Sequence, residues 1–247
     1  MSDLQLESLP LDVARRTPGA LLQMLKVLFN DEAPQAIPIE LFCINSKSKR
    51  LALKLAENFN AKGSDKSSKH EYHWLYGSIL AHLGNSPSIL EVGLGSNNPE
   101  IASNMGIAGK PGASLKAFLE LFPDSIIHGA DIDETIEVDG VPTFKLDQTN
   151  YSSFGVLERK GLLEYDLIID DGLHSPDANL FTMAFALRHL SSRGAFLIED
   201  IPGNALEIWQ SVKLLLDRHS FRSVIVSTKS SYMFALCRDS SQLLRYF

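Results

Sequence analysis

From Ser88 onward the chain alternates short β-branched apolar runs with longer amphipathic stretches. That alternation predicts a mostly parallel sheet with helices on its faces. Strands are expected near 88–93, 125–131, 143–147, 165–171 and 194–200, and helices near 114–122, 151–160 and 177–190. A helix from about Ala205 to His219 leads into two further runs, Phe221 to Ser227 and Tyr232 to Arg238, joined by a short Ser/Lys turn. Strands joined so closely must pair antiparallel. The expected fold is α/β, a Rossmann-like sheet finished by a C-terminal antiparallel hairpin.

Ahead of this pattern lies a helical segment. Thr17-Pro18 reads as N-cap and first helical residue, opening a helix whose apolar face carries Leu21, Leu22, Leu25, Leu28 and Phe29. Such a face packs on the chain's own core or on a second subunit in a homo-oligomer. A Pro-marked loop and a short apolar run, Ile39 to Ile44, precede a helix from Lys49 to Phe59. The polar, Gly-containing stretch Asn60 to Lys69 is the best candidate boundary. It divides the chain into a segment 1–69 and a main domain 70–247, the latter opening with a helix from His70 to Leu83.

Composition bounds the function classes. At 247 residues and 45% hydrophobic content the chain can bury one sizeable α/β core. Its net charge of −7 argues against a nucleic-acid footprint. Cys43 and Cys237 lie far apart, with no spacing suited to zinc or to a disulfide framework. No stretch has the length needed to span a bilayer, and Met1 to Pro10 has no basic start followed by an apolar core. The expectation is a cytoplasmic protein with no membrane or nucleic-acid partner.

Chemistry collects at strand ends. Tyr165 to Pro202 reads as one βαβ unit whose two strands stop at Asp170-Asp171-Gly172-Leu173-His174 and at Glu199-Asp200. Four carboxylates and a histidine thus share the carboxyl edge of the sheet, where open α/β sheets bind ligands. Another strand runs into Gly93-Leu94-Gly95, where the backbone must turn tightly beside a ligand. This turn lacks the last glycine of the dinucleotide fingerprint, and a polar insert, Asn97 to Lys110, replaces the helix start. Asp131, ending the following strand, suits ribose hydroxyls of either NAD or S-adenosylmethionine. It lies 36 positions beyond Gly95, against roughly 20 in dinucleotide folds, which favours the methyl donor. Asp147-Gln148 stands at the same edge, placed to meet adenine or to cap a turn. Carboxylates are hard ligands suited to magnesium, but Glu199 and Asp200 can reach one ion only if the strand has given way to loop.

Together Glu91-Val92-Gly93-Leu94-Gly95, Gly112-Ala113-Ser114-Leu115, Gly129-Ala130-Asp131-Ile132-Asp133, Ile169 to His174 and Ile198-Glu199-Asp200 resemble the metal-dependent sugar O-methyltransferases of macrolide biosynthesis, mycinamicin type. Gly63-Ser64-Asp65-Lys66, with His70, Tyr72 and Tyr76, is similar to the sequence before the first strand of that family. The resemblance covers about residues 60 to 204 and implies a class I methyltransferase using S-adenosylmethionine and Mg2+ on a hydroxyl of a sugar or other small molecule. It implies Asp171, Glu199 and Asp200 as metal ligands and His174 as general base. Cofactor contacts would come from Lys66, Tyr76, Glu91, Gly93, Gly95, Ser114, Asp131, Asp147, Gln148 and Asp170, with Asp170 the acid expected to turn away from the metal. Leu173 departs from the family's small polar residue, and the insert is longer. An NAD-linked oxidoreductase and a non-catalytic cofactor-binding subunit are the alternative readings.

Overall fold

Period-two alternation along the strands puts a separate apolar core on each face of one eight-stranded sheet. The computed structural model describes residues 3–43, 45–241 and 243. Met1, Ser2 and Ile44, on which parts of the expectations above fall, lie outside the described residues.

The strands are β1 (Ile37–Pro38), β2 (Ile89–Val92), β3 (Ile127–Asp131), β4 (Thr143–Lys145), β5 (Tyr165–Asp170), β6 (Leu190–Ile201), β7 (Phe221–Ser227) and β8 (Tyr232–Arg238), in the order β1-β7-β8-β6-β5-β2-β3-β4. All pairings are parallel except those of β8, which lies antiparallel between β6 and β7. The expected hairpin is present over the expected residues. Strand order reverses between β2 and β5, which opens a crevice at their carboxyl ends. Two-residue β1, which the sequence did not reveal, pairs with β7 at the sheet's margin, where a strand containing Pro38 is tolerated.

Helices α2 (Ser46–Lys62), α3 (His73–Leu83) and α4 (Ala113–Leu121) cover one face, against Leu167, Ile169, Leu197 and Ala235. On the other face α5 (Gly155–Lys160), α6 (Pro176–His189) and α7 (Leu206–Leu216) cover Leu90, Ile168, Phe196 and Phe234. The start of α2 moves upstream of Lys49 because Asn45 and Ser48 form a capping box, and Gly63 at φ 83° ends it. β6 begins at Leu190, directly after α6, with no intervening loop.

The N-terminal helix departs most from expectation. α1 runs from Asp3 to Phe29, so Thr17 is not an N-cap. Its hydroxyl donates to the Val13 carbonyl at 2.9 Å inside the continuing helix. The apolar face is also split: Leu22 and Leu25 pack on Leu214 of α7 beside Phe29, whereas Leu21 and Leu28 are 40% and 67% exposed. At 100° per residue Leu25, Phe29 and Leu22 share an arc of about 60°, the side that α7 covers, and Leu21 and Leu28 lie about 40° and 60° beyond its edge. Among the described residues no helix is long and apolar enough to cross a membrane.

Helices α2 and α3 meet at Gly77, where an added Cβ would lie 2.6 Å from the Ala52 Cβ. Gly77→Ala must therefore push the helices apart, and urea unfolding should show a loss of about 1–3 kcal/mol.

Candidate active site

The site begins with two turns that touch. Gly93 (φ 90°) follows β2 so closely against the β5 turn that a Cβ there would lie 2.2 Å from the Asp171 carbonyl oxygen. Gly95 (φ 76°) meets Met105 of the insert, whose sulfur would lie 2.1 Å from an added Cβ. At Gly93 the neighbouring backbone leaves no room for a Cβ, and at Gly95 the left-handed backbone itself disfavours a side chain. The insert itself is folded back: the Met105 N–H donates to the Ser96 carbonyl at 2.8 Å, and the Asn97 amide donates to the Gly109 carbonyl at 3.2 Å.

Beneath this roof are two adjoining cavities. The first, about 310 Å³, is lined by Gly93, Gly95, Asp131, Asp147, Gln148 and Leu173, with Glu100 to Ser103 above. Asp131 accepts the Leu94 N–H at 2.6 Å and the Asp133 N–H at 2.9 Å, which leaves lone pairs on both oxygens for a ligand. Asp147 accepts the Thr149 N–H and hydroxyl through one oxygen. The second cavity, about 530 Å³, is lined by Lys66, Tyr72, Glu91, Ser114, Asp171, His174, Glu199 and Asp200. Gly93, Gly95, Ser103 and Asp171 border both.

A buried ammonium organises the second cavity. Lys66, 3% exposed, places Nζ 2.6 Å from Asp171 Oδ2, 3.2 Å from Glu91 Oε1, and against Glu199 Oε2. Ser114 donates to the other Glu91 oxygen at 2.6 Å, and the Tyr76 hydroxyl donates to the other Glu199 oxygen at 2.5 Å. Burial alone would pull the ammonium down, but Asp171, Glu199 and Glu91 hold it well above the ordinary lysine range. Burial pushes both Glu91 and Glu199 above the usual carboxylate range despite Lys66. Tyr76 and Tyr72 are raised as well, first by burial and then by Glu199.

Asp200 faces the same cavity as Glu199. The strand has not ended, as the sequence argument required; a register shift against β8 between Ile198 and Ile201, with Asp200 at φ 52°, turns its side chain back. Tyr72 donates to Asp200 at 2.7 Å, and Ser231 of the β7–β8 turn donates at 3.2 Å. His70 stands between Asp200, at 3.2 Å, and Asp65, at 3.5 Å. Its bond to Asp65 brings that carboxyl down to about 2. Asp65 was legible only as a member of the Gly63–Lys66 loop, with no role attached, and Ser231 had no signal, since it sits in a polar turn remote from the strand ends.

Asp171, His174 and Asp200 can each bring one ligand atom within 4.8 Å of the others. His174 also adopts a left-handed backbone, φ 56°, a conformation that clusters at functional sites. Its Nδ1 is buried and has no hydrogen-bond partner. Thus the site residues expected from the sequence fall around two cavities, with Gly93, Gly95 and Asp171 bordering both. Gly93, Gly95, Asp131, Asp147 and Gln148 border the first cavity; Lys66, Tyr76, Glu91, Ser114, Asp171, His174, Glu199 and Asp200 surround the second. Asp170 borders neither: it is fully buried beneath α6 and bonded to Gln148 at 2.6 Å.

No family model matches the chain. Over 136 residues it is 29% identical to L-olivosyl-oleandolide 3-O-methyltransferase of Streptomyces antibioticus, covering 52% of this chain and 32% of that protein. The chain therefore spans about a third of the length of this curated relative. Two solved structures are similar. The MycE methyltransferase from the mycinamycin biosynthetic pathway with Mg, SAH and mycinamycin VI has a TM-score of 0.59 and 19% identity, over 78% of this chain and 57% of that one. Its complex with Mg and SAH has a TM-score of 0.51 and 24% identity, over 60% and 37%. These likenesses show the fold, a Rossmann-like α/β sheet.

Removing Lys66 isolates buried acids. Lys66→Met should cost about 3–5 kcal/mol in urea unfolding at neutral pH. With Glu91 and Glu199 already raised, their protonation relieves the folded state, so the deficit should shrink as the pH falls.

Proposed function

We propose that this chain is an S-adenosylmethionine-dependent O-methyltransferase that works with a divalent cation, magnesium, on a hydroxyl of a sugar or other small molecule. The observation that carries the reading is the shared wall: a donor-sized cavity and an acidic cavity meet at Asp171, with His174 on the acidic side. The relatives named above bear on the same choice, since two contain Mg and SAH and one is named for sugar O-methylation.

The residues present fit both groups. For the donor, Asp131 keeps acceptor capacity for ribose hydroxyls at the end of β3, and Asp147 stands at the next strand end for adenine. For the metal, Asp171 and Asp200 supply hard oxygens within 4.8 Å of each other. Glu199 stands beside them, its negative charge shared with Lys66 and Tyr76, so its place in the metal set requires Lys66 to yield a position. When bound, magnesium polarises an acceptor hydroxyl and lowers its pKa.

The chain's own groups then align the reaction. Asp131 and the Gly93–Gly95 turn would hold the donor in the first cavity, which adjoins the second at Asp171. The acceptor oxygen forms a bond to the methyl carbon as the carbon–sulfur bond breaks, with the electron pair going to sulfur. His174 receives the hydroxyl proton; its Nδ1 is buried without a partner, so the proton goes to the other ring nitrogen. Met105 lines the acidic cavity and Glu100 to Ser103 of the same insert line the other, so the insert borders the space in which the acceptor's identity is read. The raised pKa values of Tyr72 and Tyr76 keep them as donors that hold Asp200 and Glu199 in place.

Thermal-shift measurements provide the first test. S-adenosylmethionine or its demethylated product, SAH, at a hundred times Kd should stabilise the protein by about 2.7 kcal/mol, and NAD should not. Stabilisation by NAD alone would replace the proposal with an oxidoreductase. With an active acceptor, His174→Ala should lower turnover by about 10²–10⁴ while SAH binding is kept. Chelation should abolish turnover and magnesium restore it. Full turnover in chelator would remove the metal from the mechanism, and unchanged turnover in the His174 variant would remove the base.

A further inference from the structure

Asp170 is a fully buried carboxyl that neither cavity uses, and its partners point to a purpose. Gln148, 7% exposed, donates through Nε2 to Asp170 Oδ1 at 2.6 Å and to Thr182 Oγ1 of α6 at 2.8 Å. Both protons of its amide nitrogen are thereby spent. The Gln148 oxygen accepts the Leu173 N–H at 2.9 Å. These bonds also orient the amide: a carboxylate can only accept, so the nitrogen must face Asp170 and the oxygen must face Leu173. The fit is tight, since a Cβ on Gly172 would lie 2.2 Å from the Gln148 oxygen.

Leu173 lies between Asp171 and His174, and its N–H ties the far half of the turn, as the Asp171 N–H, donating to the Val92 carbonyl at 2.8 Å, ties the near half. That turn needs a tie. Its last residue, His174, holds φ 56°, which a non-glycine residue keeps only when its surroundings impose it. We propose that Gln148 is a positioning residue, locked by Asp170 and Thr182, that holds the 171–174 turn and so sets where Asp171 and His174 stand. Asp147, with one oxygen unengaged by the protein, is left to read adenine. The tie rests on the geometry alone; its consequence for metal and proton placement rests on the function proposed above.

Amide hydrogen exchange in the free protein tests the tie without any ligand. In Gln148→Leu, exchange at Leu173 should rise by about tenfold or more, the worth of one hydrogen bond, while β5 amides keep their protection. Unchanged protection at Leu173 would overturn the proposal. Binding of Mn2+ and SAH to the same variant separates positioning from ligation. Mn2+ affinity should weaken about tenfold with SAH affinity held within about threefold, and turnover should fall by about 10²-fold with little change in donor KM. Loss of SAH affinity with Mn2+ binding intact would make Gln148 an adenine ligand and end the proposal.

The paired exchange Gln148→Glu with Asp170→Asn reverses donor and acceptor across the buried contact while keeping an acceptor for Leu173. It should restore Leu173 protection and Mn2+ affinity that Gln148→Glu alone loses, and it serves if Gln148→Leu does not fold. Failure of the pair to restore either, when folded, would count against the tie. Wild-type protein that binds neither SAH nor Mn2+ would remove the proposed function, leaving Leu173 exchange to decide on Gln148.

Discussion

The placement of one ammonium inside a ring of carboxylates is the interaction on which the site depends. Lys66 joins the loop after α2 to the ends of β2, β5 and β6 through Glu91, Asp171 and Glu199. In a buried setting each of these charges would be costly alone, and together they are tolerable because every one has an opposite charge or a donor. That requirement draws the segment before the first central strand into the sheet's carboxyl edge. The same segment then delivers Tyr72 and Tyr76, which satisfy Asp200 and the second oxygen of Glu199.

Around this ring the backbone departs from regularity where chemistry needs it. A strand alone would send Glu199 and Asp200 to opposite faces. The register shift in β6 and the left-handed Asp200 bring both to one cavity, and the left-handed His174 does the same for the β5 turn. Such conformations cost of order 1–3 kcal/mol each. They are held by bonds from three directions: Tyr72 and Ser231 on Asp200, and Gln148 on Leu173. Regular strands thus position the site to within a few ångströms, and local irregularity aims it.

The insert from Asn97 to Lys110 adds what the scaffold does not supply. By resting Met105 on Gly95 it roofs both cavities with one element, so the two share a cover. That cover lies outside the repeating β/α pattern, where sequence can vary without disturbing the sheet.

The sequence by itself determined the sheet, the antiparallel hairpin and the edge at which the acids meet. Those depend on period-two alternation and on where apolar runs stop, which are local properties. It also placed Gly93, Asp131, Asp171 and His174 at that edge, since each ends a strand or follows one closely. The extent of α1 was not legible, because Thr17-Pro18 reads as a start, and the helix runs on through Pro18 at the loss of one backbone hydrogen bond. Nor was the division of its face, because only α7 decides which leucines are covered. Above all, the tertiary structure decided how the acids differ. Asp170 is bonded beneath α6, Glu199 shares Lys66, and Asp200 is turned back by a bulge; each outcome depends on partners 22 to 133 positions away. Long-range hydrogen bonds and charge pairs leave no periodic trace in a chain, so only the folded arrangement could assign these carboxylates their separate surroundings.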